Sequence, residues 1–230
     1  MVRKILILII ISFLLIYCDD NPSKSENEVE CKKSGDNVLL PGDIGSKWFY
    51  KMWIHGIDYG DTSEYSITDT MTIEYQGKHY RCFIAKWDSD HPLINWLYYN
   101  GDNGLYLIGG YTKYDTLISP SLWIKYPVNK GDMWDHPRMV YNSIENIFYI
   151  KDTTQYSCTT SDSMFVSVND TFIVNEYKTS PISQGDDIQA KEITHFYFSP
   201  SIGLVGKRWT SDLNQNYTKA IVKLFDYCIY

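Results

Sequence analysis

Histidines, cysteines, serines and paired carboxylates are the side chains that build catalytic and metal sites. The five histidines, His55, His79, His91, His136 and His195, never approach one another at ligand spacing. A zinc site draws on three or four such ligands. The densest polar cluster is Asp88-Ser-Asp90-His91, whose oxygens have the hardness that calcium takes. Pro92 directly after it points instead to a solvated loop between strands. Asn100-Gly-Asp-Asn-Gly104 imitates the opening of a calcium loop but lacks the bidentate Glu downstream. Ser157-Cys-Thr-Thr-Ser161 has no nucleophile-elbow pattern, and no glycine loop is spaced to cradle phosphate. These spacings predict no metal, no cofactor and no catalytic set, although a triad assembled in space leaves no local trace. A hydrolase is therefore the third reading. A non-enzymatic binding or interaction module comes first, and a carrier of a lipid or other apolar ligand second.

The formal charge of −7 becomes −9 once Arg3 and Lys4 are removed with the leader described below. An acidic chain lacks the basic footprint of a nucleic-acid binder, and Lys32-Lys33 and Lys207-Arg208 are isolated pairs. Aromatic residues carry the compositional hint of binding: 20 Tyr, 9 Phe and 7 Trp. Tyr98, Tyr99, Tyr106, Tyr111, Tyr114, Trp123 and Tyr126 crowd one short stretch of the chain, from residue 98 to residue 126. Their faces could line a pocket for a glycan or an apolar ligand, or simply fill a core.

The elements that must position these residues are strands. Tyr65, Ile67, Met71, Ile73 and Tyr75 share one face, opposite Glu64, Ser66, Thr68, Thr70, Thr72 and Glu74. Asp69 intrudes on the apolar side. Trp48, Tyr50, Met52 and Ile54 make another apolar face. Turn signals at Gln76-Gly77, Asn100–Gly104, Asn169-Asp170 and Ser199-Pro-Ser201 separate apolar runs at short intervals, and Lys219–Phe225 is the last strand. Such a chain of hairpins predicts an all-β antiparallel meander bent into a strongly curved sheet or open barrel, with a β-sandwich as the alternative.

One pattern is used twice. Pro41-Gly-Asp-Ile-Gly45-Ser-Lys-Trp48 and Pro127-Val-Asn-Lys-Gly131-Asp-Met-Trp134 share the spacing P-x-x-x-G-x-x-W. Proline fixes φ, glycine supplies a turn, and each Trp is expected to enter the core at the start of a strand.

The chain begins as an export signal does. Arg3-Lys4 precede an apolar run from Ile5 to Tyr17, too short for the roughly 20 residues of a spanning helix. Leu15-Ile16-Tyr17-Cys18 resembles the lipobox of bacterial lipoproteins, with Tyr17 where a small residue is usual. The resemblance implies that residues 1–17 are a signal peptide and that Cys18 carries the lipid. The alternative is an ordinary signal peptide or uncleaved anchor with an incidental cysteine. Residues 18–37 read as a lipidated, flexible polar tether, because Asp19–Glu28 contains no apolar side chain to bury. Asp19 and Asp20 resemble lipoprotein sorting signals, with the periplasmic or surface side left open. Residues 38–230 read as a single β-rich domain. Its partners would be the membrane, through the anchor, and an envelope protein, a glycan or an apolar ligand.

With Cys18 lipidated, Cys31, Cys82, Cys158 and Cys228 remain, an even number in an oxidising compartment. Of the three pairings open to them, Cys31–Cys228 would staple the chain ends, with Cys82–Cys158 as the second bridge. The alternative is four separate thiols.

The paired P-x-x-x-G-x-x-W segments, Val168-Asn-Asp-Thr-Phe172 and Tyr197-Phe-Ser-Pro-Ser-Ile-Gly-Leu-Val205 stand in order along the chain. Together they resemble uncharacterised cell-envelope lipoproteins of Bacteroidota-like bacteria, which combine P-x-x-x-G-x-x-W, G-T-F-like and Y-x-x-P-x-x-G-x-V motifs. Asp170 replaces the usual glycine of the middle motif. The resemblance implies an antiparallel β envelope domain and no particular activity.

Overall fold

Thirteen strands make up the ordered framework of the computed structural model, which describes residues 38–88, 94–180, 182–183, 191–211 and 218–230. In chain order they are β1 Lys47–Ile54, β2 Ile57–Tyr75, β3 Lys78–Trp87, β4 Asn95–Gly101, β5 Gly104–Tyr111 and β6 Thr116–Lys125. There follow β7 Met133–Asn142, β8 Ile147–Val166, β9 Thr171–Thr179, β10 Ile182–Ser183, β11 Lys191–Ser199, β12 Gly203–Ser211 and β13 Thr218–Cys228. All pair antiparallel in one sheet of order β6-β5-β4-β3-β2-β1-β13-β12-β11-β9-β8-β7, with β10 pairing only β11. The sheet curls into a nearly closed barrel, so the barrel expectation holds rather than the sandwich. No helix interrupts it among the described residues.

The tight turns come from the residues that permit them. Gln76 and Gly77 both have positive φ, 50° and 74°, as a two-residue hairpin between twisted strands requires. His55-Gly56 does the same between β1 and β2 with φ of 50° and 81°, a hairpin the sequence pattern did not announce. Asp69 intrudes only on paper. The register slips between Ile67 and Asp69, so Ile67 faces Ala85 whereas Asp69 faces Ile84. One extra residue turns every later side chain to the other face. Tyr65 and Ile67 therefore enter the first core cluster, and Ile73 packs against a second.

The first cluster lines the inside of the barrel. Trp48 and Tyr50 from β1, Phe83 from β3, Tyr156 from β8, Tyr177 from β9 and Phe196 and Phe198 from β11 are all buried there. Trp123 on β6 meets Phe196 and Phe198 edge-on at 6.0 and 5.9 Å. The second cluster, Cys82, Ile84, Leu97 and Ile108, lies on the opposite face of β3, β4 and β5.

The repeated P-x-x-x-G-x-x-W motif is the same structure twice. Gly45 and Gly131 have φ of 94° and 91°, which only glycine adopts cheaply. Ser46 N donates to Asp43 O at 3.1 Å, and Asp132 N to Asn129 O at 3.0 Å. Gly45 N donates to Ile67 O and Gly131 N to Cys158 O, each at 2.9 Å, and both bonds are returned by the next residue's carbonyl. Trp48 then pairs with Tyr65 across β1–β2, and Trp134 with Tyr156 across β7–β8. Further along, Asp88 N donates to Glu64 O at 2.9 Å and Ser180 N to Gln155 O at 2.7 Å, in each case the residue before that Tyr. Leu107-Ile-Gly109 on β5 and Leu204-Val-Gly206 on β12 both straddle a register shift against the preceding strand. Strands β1–β6 and β7–β13 are thus two copies of one meander, joined by the β1–β13 ladder.

At the other junction, β6 and β7 end the sheet order without a ladder of their own. Side chains close this seam. Trp134 Nε1 donates to Trp123 O at 3.0 Å, and His136 Nδ1 lies 3.2 Å from Leu122 O and from Ser121 Oγ. Lys125 Nζ meets Asp132 at 2.9 Å, and Tyr177 OH donates to Lys125 O at 3.0 Å.

The Cys82–Cys158 bridge is not formed; both are free buried thiols. They belong to different clusters, and each thiol turns to a nearby carbonyl, Tyr80 O and Thr160 O. Burial pushes both up to about 11, with Asp132 and Glu176 adding to the rise at Cys158, so neither is a reactive thiolate at neutral pH. Cys18 and Cys31 lie outside the described residues, and Cys228 closes β13 opposite Lys47.

Candidate functional site

The aromatic residues singled out as binding candidates are divided between the two faces of the sheet. Tyr98 is buried in the inner cluster, stacked on Phe83 at 5.9 Å and against Trp123 at 5.4 Å. Trp123 donates its indole N–H to Tyr156 OH at 3.3 Å, and Tyr126 also packs on the inner cluster. Tyr99, Tyr106 and Tyr111 pack on the outer one, and Tyr114 is exposed. They do not converge on one site. His91 and Asp90 of the densest polar cluster lie outside the described residues; His55 is exposed in the β1–β2 turn and His79 at the start of β3.

Convergence occurs elsewhere, where β1, β2, β3, β12 and β13 meet. Tyr50, Lys51 and Met52 of β1 and Lys207 and Trp209 of β12 join Ser63, Trp87, Leu204 and Val222 around a cavity of about 270 Å³. Lys207 and Trp209 share one face by strand alternation. Val222 sits opposite Lys207 in register, and Ser63 opposite Tyr50. Tyr50 forms a fixed wall: its hydroxyl donates to Leu204 O at 2.7 Å, and burial holds the phenol protonated. Trp87 leans on Tyr50 and Tyr65 with ring centres 5.0 and 4.9 Å away. The Lys207 ammonium lies 4.4 Å above the Trp209 ring and 5.4 Å from the Phe196 ring, so two aromatic faces hold a cation at the pocket. None of these residues belonged to the candidate set. Trp87 is far in sequence from Lys207 and Trp209, and the three carry no local motif.

Below this pocket, among the described residues, the inner cluster leaves little room. The void bounded by Leu40, Tyr65, Trp87, Tyr98, Trp123, Phe198 and Leu204 measures about 30 Å³, room for a water rather than an acyl chain.

A second arrangement is catalytic in its connectivity. Thr210 Oγ1 lies 3.3 Å from His195 Nε2, and His195 Nδ1 lies 2.9 Å from Glu176 Oε1. That is the order of nucleophile, base and orienting carboxylate. Tyr197 OH donates to the same Glu176 oxygen at 3.3 Å, and Arg208 stands 3.7 Å from it. Burial would raise the Glu176 carboxyl, but the hydrogen bond and charge of His195, with Arg208, bring it below the ordinary value. Thr210 is 0% exposed and His195 6%, so the hydroxyl has no face to offer a substrate. The chain of bonds ties β9, β11 and β12 together and is a structural network.

No protein-family model matches the chain, and no curated protein does. Among solved structures, a "putative lipoprotein" from Parabacteroides distasonis is similar at 11% identity and a TM-score of 0.45, covering 84% of this chain and 100% of that one. A "putative exported protein with YmcC-like fold" from Bacteroides fragilis is similar at 10% identity and a TM-score of 0.42, covering 84% and 99%. Both descriptions are those proteins' own.

Proposed function

We propose that this protein is a lipid-anchored component of a bacterial envelope whose β-barrel domain binds a small ligand without catalysing its turnover. The observation that supports the binding reading is the cavity where Trp87, Trp209 and the ring-held Lys207 converge on an otherwise filled barrel. Apolar pockets with a few placed polar groups are the usual form of ligand sites. The filled interior favours a binding module over a carrier that swallows a lipid. Titrating the full-length protein in detergent with sugars, organic acids and fatty acids, while following indole fluorescence, tests this reading. A saturable response is expected for at least one class, lost in Trp209→Ala. Unchanged fluorescence throughout would sink the idea.

The anchor reading is supported by Arg3-Lys4, the apolar run and Cys18. Peptide mapping of the membrane-purified protein, without reductant, is expected to show acylated Cys18, a Cys31–Cys228 linkage, and Cys82 and Cys158 alkylated only after unfolding. Cys18→Ala should abolish membrane fractionation. An unmodified Cys18 peptide would refute the anchor, and separate Cys31 and Cys228 peptides would refute the staple.

A further inference from the structure

The two copies of the meander give the barrel two matching mouths, and only one is filled from within. Gly110 follows the Leu107-Ile-Gly109 bulge and pairs with Trp96; Lys207 follows the Leu204-Val-Gly206 bulge and pairs with Phe196. Over Gly110 sits the ring of Phe148, so close that a Cβ there would come within 2.8 Å of it and 3.2 Å of Trp96. Phe148 is buried, edge-on to Trp96 at 5.7 Å and against Tyr141 at 4.8 Å, and its N–H is anchored on Asp115 at 2.6 Å. The matching stretch of the other copy supplies no such plug. Ile57 and Tyr59, at the start of β2, are 68% and 61% exposed. The place that corresponds to Phe148's in register is the Trp87–Trp209 pocket, where Lys207 stands in the position of Gly110.

Resting on the binding reading above, we infer that this pocket takes an apolar ring carrying an anionic group, the ring standing in for Phe148 and the anion answering Lys207. The cavity of about 270 Å³ lies just below the usual range of roughly 300–1,000 Å³ for ligand sites, which suits one ring with a short substituent. An ion-paired contact held by aromatic walls outranks a neutral one by about tenfold or more in affinity.

The test is calorimetric titration of the full-length protein in detergent with 3-phenylpropionate, its amide, octanoate and glucose. 3-Phenylpropionate is expected to bind, its amide about tenfold more weakly, and Lys207→Met to abolish that difference. Binding of glucose in its place would overturn the ring-plus-anion assignment while leaving the pocket a ligand site. Equal binding of acid and amide would overturn the anionic part, and octanoate matching 3-phenylpropionate would overturn the ring. Failure of every compound, with Trp209→Ala also silent, would overturn the binding reading itself. The filled mouth gives an independent check. Phe148→Ala, or Phe148→Leu if the first does not fold, should gain more thermal stability from dissolved toluene than the wild type does. No differential gain would show that this mouth is not a ring-shaped place.

Discussion

Trp48→Ala is expected to cost about 3–5 kcal/mol of unfolding free energy, the range for truncating a large buried aromatic. Trp48 is 0% exposed, packs on Tyr65 at 5.6 Å, and donates its indole N–H to Ile202 O at 2.6 Å. That bond joins the first strand to the β11–β12 turn, so the substitution opens a cavity and orphans a carbonyl between the two halves. Trp134 occupies the matching position but is only half-buried at the seam, stacked on Tyr156 at 5.8 Å. Both tryptophans were expected to be core residues. The second is a clasp, and Trp134→Ala is expected to cost roughly 1–3 kcal/mol from lost contact and one hydrogen bond. Urea denaturation of the two variants checks this: a loss below about 1 kcal/mol at Trp48, or the reverse ranking, would contradict the packing described.

Acidification is expected to loosen the protein well above the range in which ordinary carboxylates titrate. Burial pushes His136 down to about 4, only partly offset by its hydrogen bond to Leu122 O. The carbonyl can only accept, so Nδ1 carries the proton in the neutral ring. The neighbouring Tyr156, edge-on at 5.8 Å, is held neutral too, its phenol pushed up to about 12 by burial. The unfolded chain takes up the proton near 6.5 and the folded one only near 4. Stability is therefore fully present above about pH 6.5 and declines as pH falls toward 4, by on the order of 3 kcal/mol. Glu176, held below its ordinary value, adds its loss only at still lower pH. Melting temperatures between pH 7 and 4 should fall steeply in the wild type and less in His136→Asn. Parallel slopes would show that the seam histidine does not govern the decline.

Much of the architecture was legible because strands write it in period two and turns write it in glycine. Gln76-Gly77, Asn169-Asp170 and Pro200-Ser201 all fall between strands, as their residue types require. What escaped notice has specific causes. The bulge at Thr68 reversed the facing of Asp69, Met71 and Ile73, and a bulge leaves no compositional mark. Strand β8 runs 20 residues through Ser157–Ser161, whose small side chains show no apolar alternation to mark a strand. The pocket was illegible for a plainer reason. Trp87, Lys207 and Trp209 come from opposite halves of the chain and meet only because β1 pairs with β13. The Thr210–His195–Glu176 chain is likewise spread over three strands.

The order of strands inverts the order of the chain. β1 and β13, near the polypeptide's ends, are the innermost pair of the sheet, while β6 and β7, from its middle, are its margins. The connection from Tyr126 to Asp132 therefore joins two margins that side chains already clasp, and no ladder runs through it. A single cut there would divide the polypeptide into two pieces of similar size without separating one paired strand from its neighbour. The pieces would stay zipped along β1–β13, two complete meanders held by that ladder and by the side-chain clasp at the opposite seam.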